Sequence, residues 1–472
     1  MRTRTLTAWH LLGTGHLLAL LLLIAAPAHA QTLAWGAEKY FQYNIENVVV
    51  TPTAGVAGSY SVKVIFSVTN PVRGGTWDIK GTAPFQSAGA NINMDIAWDP
   101  GTDLTNTGSD NAALASITTT ALGAGAALPV QVRGLQSTAF TGARACSSEI
   151  DCPGVASMTG RYWITRVVQP ATFVSAVTRG RVAIEGRPVC NGVDLDFVCP
   201  STGTSTFVNV PVRSVAADFS FGASGVLPTA ARRAIVDIAK CQRCHDGGQH
   251  GDVVVPRLSL HGANRNENLA VCVVCHNPNQ TDVPYRFLTT DPASDPRIGG
   301  PETPIDFKTM VHSIHAGGFR ETPFVVIGRS SSVNEFSDVR FPSELRNCSN
   351  CHIDVNGKGT FELPLASTVL GSTVKTGSTI GYIRPSDLQV GNLVDLDPTN
   401  NLRITPTASV CSACHDGSEV RRHMQSNGAV FGALQSAITP NPERCVRCHG
   451  PGKDKDVRKV HEVSGAGGGT HD

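Results

Sequence analysis

Aromatic side chains are scarce in this chain: Phe, Trp and Tyr make up 6% of its 472 residues, against 47 glycines and 28 prolines. A chain of this length has room for two or three buried cores. With so few rings to fill them, part of the chain must be loop-rich, its apolar bulk supplied by something other than side chains. Net charge is also scarce: 39 Lys and Arg against 38 Asp and Glu leave +1, no basic field, and so no nucleic acid as partner. Long apolar runs reduce to one, Leu17 to Ala26, preceded by Arg2 and Arg4 and followed by Ala28-His29-Ala30 and the polar Gln31. That is the plan of a secretory signal cut after Ala30, and it is too short for a membrane anchor. No other run is long enough to span a bilayer. The first cysteine is Cys146, so the expected mature N-terminus lacks a lipoprotein cysteine. The sequence predicts an exported chain, periplasmic or at the cell surface, with no transmembrane span and no lipid anchor.

What is present divides the chain. From Gln31 to about Ala216 the pattern has period two: Tyr60, Val62, Val64, Phe66 and Val68 share one face of a half-buried strand. Similar runs at Tyr162 to Val168, Thr172 to Ile184 and Phe207 to Val215, separated by Gly/Pro/Asn turns, predict an antiparallel sandwich or barrel. Gly101 to Ala127, rich in Thr, Ala, Gly and Asn, reads as a long loop or a weak strand pair. In an exported protein the four cysteines here pair most economically as two local disulfides, Cys146 with Cys152 and Cys190 with Cys199, which staple loops. Phe221 to Gly225 reads as a linker, and Pro228 as the opening of a helix from Thr229 to Lys240. The expected units are a signal peptide over 1–30, an all-β domain over 31–222, a mostly loop and short-helix domain over 223–463, and a disordered glycine-rich tail over 464–472.

That second domain writes Cys-x-x-Cys-His five times: Cys241, Cys244 and His245; Cys272, Cys275 and His276; Cys348, Cys351 and His352; Cys411, Cys414 and His415; Cys445, Cys448 and His449. Chance would supply on the order of 0.01 such pentapeptides in this composition. Two cysteines three apart can form thioethers to the two vinyl groups of one porphyrin, and the next residue is then pinned under the ring as an iron ligand. The prediction is five covalently bound haem c groups, whose rings supply the missing apolar bulk. Tetrahedral zinc would explain the cysteines but not the invariant histidine or the export signal.

The second axial ligand decides between a conductor and a catalyst. Met310 and Met424 are the methionines in this region and could serve two irons at most. Seven non-motif histidines are on offer. His471 lies in the glycine tail, and His250 follows its own motif too closely. That leaves His261, His312, His315, His423 and His461, one for each haem. His312 and His315 stand at i, i+3 on an expected helix from Asp306 to His315 and could reach two neighbouring irons. His423 follows the fourth motif and His461 the fifth; His261 rests on elimination. Five irons with two histidines each would have no open position, which predicts electron transfer and not bond chemistry.

The blocks Cys272 to Pro278, Phe307 to Gly318, Cys411 to Asp416, His423-Met424 with Gly428 to Phe431, and Cys445 to Gly450 resemble the OmcA/MtrC family of outer-surface multihaem cytochromes. The resemblance implies distal ligands at His261, His312, His315, His423 and His461. It also implies a split-barrel β domain, the Cys190–Cys199 disulfide, and a chain like one half of a decahaem protein. It further implies electron export to minerals such as metal oxides, to flavins or to other cytochromes, with partner cytochromes or an outer-membrane porin-cytochrome complex. Five motifs instead of ten and the absence of a lipoprotein cysteine set this chain apart. Two other readings compete. A multihaem oxidoreductase of nitrogen compounds typically shows a Lys in one motif or an open iron, and all five motifs here end in His. A cytochrome filament often borrows a histidine from the next subunit, whereas this chain has enough of its own.

Overall fold

The structure, a computed structural model, describes residues 33–99, 108–109, 130–139, 142–170, 179–190, 208–226, 233–286, 300–328, 332–377, 379–382, 392–395, 400–438 and 442–463. The expected signal peptide, the tail with His471, Cys199, and most of Gly101 to Ala127 lie outside the described residues.

Two antiparallel sheets form the first half. Sheet one joins β1 (Gln42–Pro52), β2 (Tyr60–Thr69) and, later in the chain, a ten-residue strand Arg161–Pro170, with the short pieces Gly108–Ser109 and Arg144–Ala145 on its far edge. Sheet two contains β3 (Asn91–Asp99) and β4 (Val130–Val132). Counting Arg161–Pro170 as β5, it adds β6 (Arg179–Arg187), β7 (Val215–Ser220) and β8 (Ala223–Val226), in the order β8-β7-β6-β3-β4. The period-two pattern sends Val62, Val64, Phe66 and Val68 inward, where they meet Ile92, Met94, Ile96, Trp98, Val182, Ile184 and Phe219 from sheet two. Each such burial stabilises the sandwich by about 1.5–3 kcal/mol. The stretch expected as a linker, Phe221 to Gly225, instead turns the chain into β8, because Val226 and Ala223 pair back onto Phe219 and Ser220.

The outward faces differ. Ile65 and Trp163 on sheet one are covered by the loop that the Cys146–Cys152 disulfide closes, with Val155 and Met158. Cys190 is disulfide-bonded as well. The outward face of sheet two is polar, with Asn93, Asp95, Arg181, Glu185 and Asp218 all buried. They are buried because the second half of the chain packs on them.

That half is loops, short hairpins and a small three-stranded sheet joining short helices: α1 (Ile238–Gln242), α2 (Leu269–Cys275), α3 (Phe307–His315), α4 (Pro406–Cys411), α5 (Ser418–Ser426), α6 (Val446–His449) and α7 (Val457–Val460). Of the helix expected from Thr229 to Lys240, residues 229–232 lie outside the described residues, and among the rest the helix starts at Ile238, as α1. Residues 233–237 stay extended because Val236 bridges to His352 and the Ile235 carbonyl accepts from Ile353 N, a pairing that suits β-branched side chains. On α2, Val271, Val273 and Val274 pack against Ala97 and Ala183 of sheet two. Among the described residues no helix is long and apolar enough to cross a membrane.

Candidate functional site

All five pentapeptides fold alike. The histidine amide closes on the carbonyl of the first cysteine four residues back, at 2.9 Å for His245, 3.0 Å for His276, 2.9 Å for His352, 2.9 Å for His415 and 2.8 Å for His449. Each motif is therefore one helical turn, with both cysteines on one side and the histidine beginning the next turn. Side-chain caps set three of these turns: Asp237 for α1, Asn268 for α2, and Asn347 ahead of Cys348.

Each motif histidine faces exactly one of the five histidines proposed from sequence. Ring centroids lie 6.1 Å apart for His245 and His315, 6.1 Å for His276 and His261, 6.0 Å for His352 and His312, 6.0 Å for His415 and His461, and 6.3 Å for His449 and His423. Two imidazole nitrogens at about 2 Å from one iron, with ring centres about 1.1 Å further out, require centroids about 6.2 Å apart. The spacing fits one six-coordinate iron between each pair. His312 and His315 reach two different motifs, the third and the first. His423 and His461 are exchanged relative to sequence proximity, each facing the motif that the other follows. His250 faces no motif histidine and bonds Asp246 at 2.9 Å. Met424 packs with Ala408 and Ala429 at the wall of this region, and it is the adjacent His423 whose ring faces a motif histidine.

For six of these rings the Nδ1 side is occupied. His245, His276 and His449 meet the carbonyls of Pro256, Ile305 and Lys455 at 2.9, 2.8 and 3.0 Å. On α3 and α7, His315 and His461 meet the carbonyls one turn back, Val311 at 2.8 Å and Val457 at 3.0 Å. His352 instead meets the Thr360 hydroxyl at 3.0 Å, and Thr360 donates its own hydrogen to the Ile235 carbonyl at 2.5 Å. A carbonyl can only accept, so Nδ1 carries the proton and Nε2 is left as the ligating atom. Sequence reasoning missed Thr360: it stands eight residues beyond His352 and nothing in its type marks it. Burial also keeps the imidazoles neutral. It pushes His261 and His352 down to about 3 and His312 to about 4, and lowers His276, His315 and His415.

His261 is placed by strain. It has φ 53° and is followed by Gly262 at 68° and Ala263 at 67°, in a turn between Ser259–Leu260 and Arg265–Asn266. The Asn264 side chain holds the His261 carbonyl at 2.9 Å. Asn266, buried, donates to the Val212 and Ala263 carbonyls at 2.9 and 2.8 Å, which pins the hairpin to the β domain. A Leu-His-Gly turn was the signal available in the sequence.

The sites adjoin. The first and third meet where Asp237 N donates to the Cys351 carbonyl at 3.2 Å and Lys240 Nζ donates to the Ser349 carbonyl at 3.0 Å. The third and fourth meet where Arg320 of the loop after α3 reaches the Ser412 carbonyl at 3.3 Å and Cys414 approaches the His312 carbonyl. The fourth and fifth share their exchanged histidines, and the second lies against the β domain. One continuous cavity of about 2820 Å³ is lined by all ten motif cysteines and all ten paired histidines. A haem of about forty heavy atoms at interior packing density occupies on the order of 600 Å³, so five need on the order of 3000 Å³.

A family model described as outer membrane cytochrome MtrC/MtrF-like, domains II/IV, matches residues 233–462. No curated protein sequence matches this chain. Among the solved structures it resembles is the outer membrane decaheme cytochrome OmcA, at 20% identity and a TM-score of 0.35, covering 70% of this chain and 43% of that one. The chain thus spans less than half the length of that protein. Residues 233–462, which hold every motif and every paired histidine, are thus similar to domains II/IV of the outer membrane cytochromes of the MtrC/MtrF-like family.

Proposed function

We propose that this protein carries five haem c groups and conducts electrons along them in respiratory electron export. The thioethers come from Cys241 and Cys244, Cys272 and Cys275, Cys348 and Cys351, Cys411 and Cys414, and Cys445 and Cys448. The axial pairs are His245 with His315, His276 with His261, His352 with His312, His415 with His461 and His449 with His423. The observation that carries the reading is the uniform 6.0–6.3 Å separation of five independent histidine pairs. When bound, such haems supply one-electron chemistry at potentials tuned by their ligands and surroundings. The protein's own part is to close both axial positions with histidine, fix each tautomer through Nδ1, and keep the groups adjacent. With both positions closed there is no place for substrate, so the reading is a conductor and not an enzyme. Partner cytochromes as donors, and minerals or flavins as acceptors, follow from the family. The β domain, which β8 carries past the expected boundary at 222, serves as a docking or spacing module for the haem domain that follows it.

The test is a haem count by mass on the purified holoprotein together with low-temperature EPR. Five haems, all low-spin, are expected. A high-spin haem in the resting protein would overturn the closed-iron reading, and a count other than five would overturn the stoichiometry.

A further inference from the structure

Between the second histidine pair and sheet two lie two carboxylates to which the conductor reading gives no task. Asp95 on β3 and Glu185 on β6 share one face, since the register sets Asn93 opposite Glu185 and Asp95 opposite Ala183. They are 0% and 1% exposed. One cation serves them closely: Arg265, from the hairpin that carries His261, reaches Glu185 through Nη2 at 3.0 Å and Nε at 2.5 Å. Gln131 of β4 donates to Asp95 Oδ1 at 2.9 Å, and Asp95 Oδ2 has no hydrogen-bond partner. Two ionised carboxylates and one guanidinium leave a buried net negative charge that one proton would cancel.

The surroundings do not cancel it otherwise. Burial, and then the charge of Asp95, raise the Glu185 carboxyl to about 7. Burial raises Asp95 as well, against the pull of Arg265, Gln131 and Arg133 of β4. Tyr43 of β1, in the core behind this face, is raised by burial and then by the charge of Glu185. Further along the face Arg181 is taken by Asp218 at 2.6 Å, and Arg187 bonds the Gly89 carbonyl at 3.2 Å. From α2 come Cys272 and Cys275, which would be thioethers and uncharged in the loaded protein. Glu185 and Arg265 line the cavity that His261 and His276 share.

We propose that Asp95 and Glu185 form a proton-binding site coupled to the second haem: the pair takes one proton from water when that haem gains an electron, and releases it when the electron leaves. The inference rests on the five-haem reading. An electron supplied by a redox donor adds one negative charge beside a carboxylate, and protonation to the carboxylic acid restores the balance. At a separation on the order of 10 Å and an effective dielectric of about 20, the added charge strengthens proton affinity on the order of tenfold. The pair would thereby give the second site a pH response of its own.

The experiment is a potentiometric titration of the holoprotein between about pH 5 and about pH 9, with redox-difference infrared spectra in the carboxylic-acid region and a haem count on the same samples. In the wild type one potential of five should fall by about 59 mV as pH rises, the one-electron equivalent of tenfold, and a protonated-carboxyl band should grow on reduction. Glu185→Gln and Asp95→Asn should each flatten that potential and remove the band while five low-spin haems remain. Five low-spin haems in the wild type with pH-independent potentials and no carboxyl band would overturn the proposal, as would a wild-type slope in Glu185→Gln. A missing or high-spin haem in the wild type would overturn the underlying haem reading instead. The wild-type measurement decides the matter even if a variant does not fold.

Discussion

Thr360→Val tests whether the protein sets the potential of its third haem through the far side of the proximal ring. The other Nδ1 atoms whose partners are seen meet backbone carbonyls, which substitution cannot remove; His352 meets a hydroxyl at 3.0 Å. Because Thr360 gives its own hydrogen to the Ile235 carbonyl, its lone pair is free for His352 Nδ1–H. Such a bond makes the imidazole more basic and favours the ferric state, so losing it should raise the potential. A neutral hydrogen bond has a net worth of about 0.5–1.5 kcal/mol. If that worth falls on the ferric state, the shift is about 20–65 mV upward, since 59 mV corresponds to tenfold for one electron. Valine keeps the shape, and Thr360→Ser, which keeps the hydroxyl, should restore the wild-type value. The assay is an EPR-monitored redox titration with haem content measured in parallel. One potential of five should move. A full complement of haem with every potential unchanged to within about 10 mV, or a downward shift, would refute the reasoning.

Three further outcomes are expected. Deleting the fifth attachment site together with His423 (Cys445→Ala, Cys448→Ala, His423→Ala) should leave four low-spin haems, because His423 faces His449; a high-spin fourth haem in EPR would show that His423 serves its own motif. Asp306, buried, caps α3 through Thr309 N at 3.0 Å and accepts from Ser372 at 2.6 Å, so Asp306→Ala should cost about 2–4 kcal/mol in denaturant unfolding and broaden the signals of the first and third haems. Burial raises this carboxyl, but Lys308 and the hydrogen bonds outweigh it and hold it below the usual range. Its contribution is thus fully present above the unfolded value of about 3.9 and lost as pH falls through the lower folded value, and a gap to the variant that closes above about pH 5 would contradict the assignment. Replacing Cys146 and Cys152 by serine opens a loop of sequence separation 6 and should cost about 2 kcal/mol of β-domain stability without changing haem content, read by calorimetry and by mass.

What the sequence made legible was whatever repeats or alternates. The pentapeptide carries its chemistry locally, so its five turns could be recognised without a fold, and β2 could be read because Val62, Val64, Phe66 and Val68 need only a core on one side. The helix carrying His312 and His315 began one residue later than expected because Asp306 is its cap. The misreadings came from tertiary pairing. Residues 233–237 look helical until Val236 finds His352, and Phe221 to Gly225 looks like a linker until Val226 pairs back onto Phe219. The polar outer face of sheet two alternates like any solvated strand, and its burial under α2 has no local mark. Thr360 and the carbonyls of Pro256, Ile305 and Lys455 act through position alone.

The exchange of His423 and His461 belongs to a wider rule in this chain. No distal histidine serves the motif it follows: His261 follows the first and faces the second, His312 and His315 follow the second and face the third and first, and His423 and His461 trade the fourth and fifth. A porphyrin held between each pair, as proposed, supplies the physical reason. A segment leaving directly from a motif histidine starts on the proximal side of its ring, and a second ligand for the same iron must come from the opposite side. A short helix such as α5, which begins three residues after His415, cannot go around the ring edge to return. It can reach a neighbour. In the proposed holoprotein each haem would therefore tie two chain segments that sequence separates, and the domain, whose own buried apolar clusters are small, would be held together in part by its cofactors.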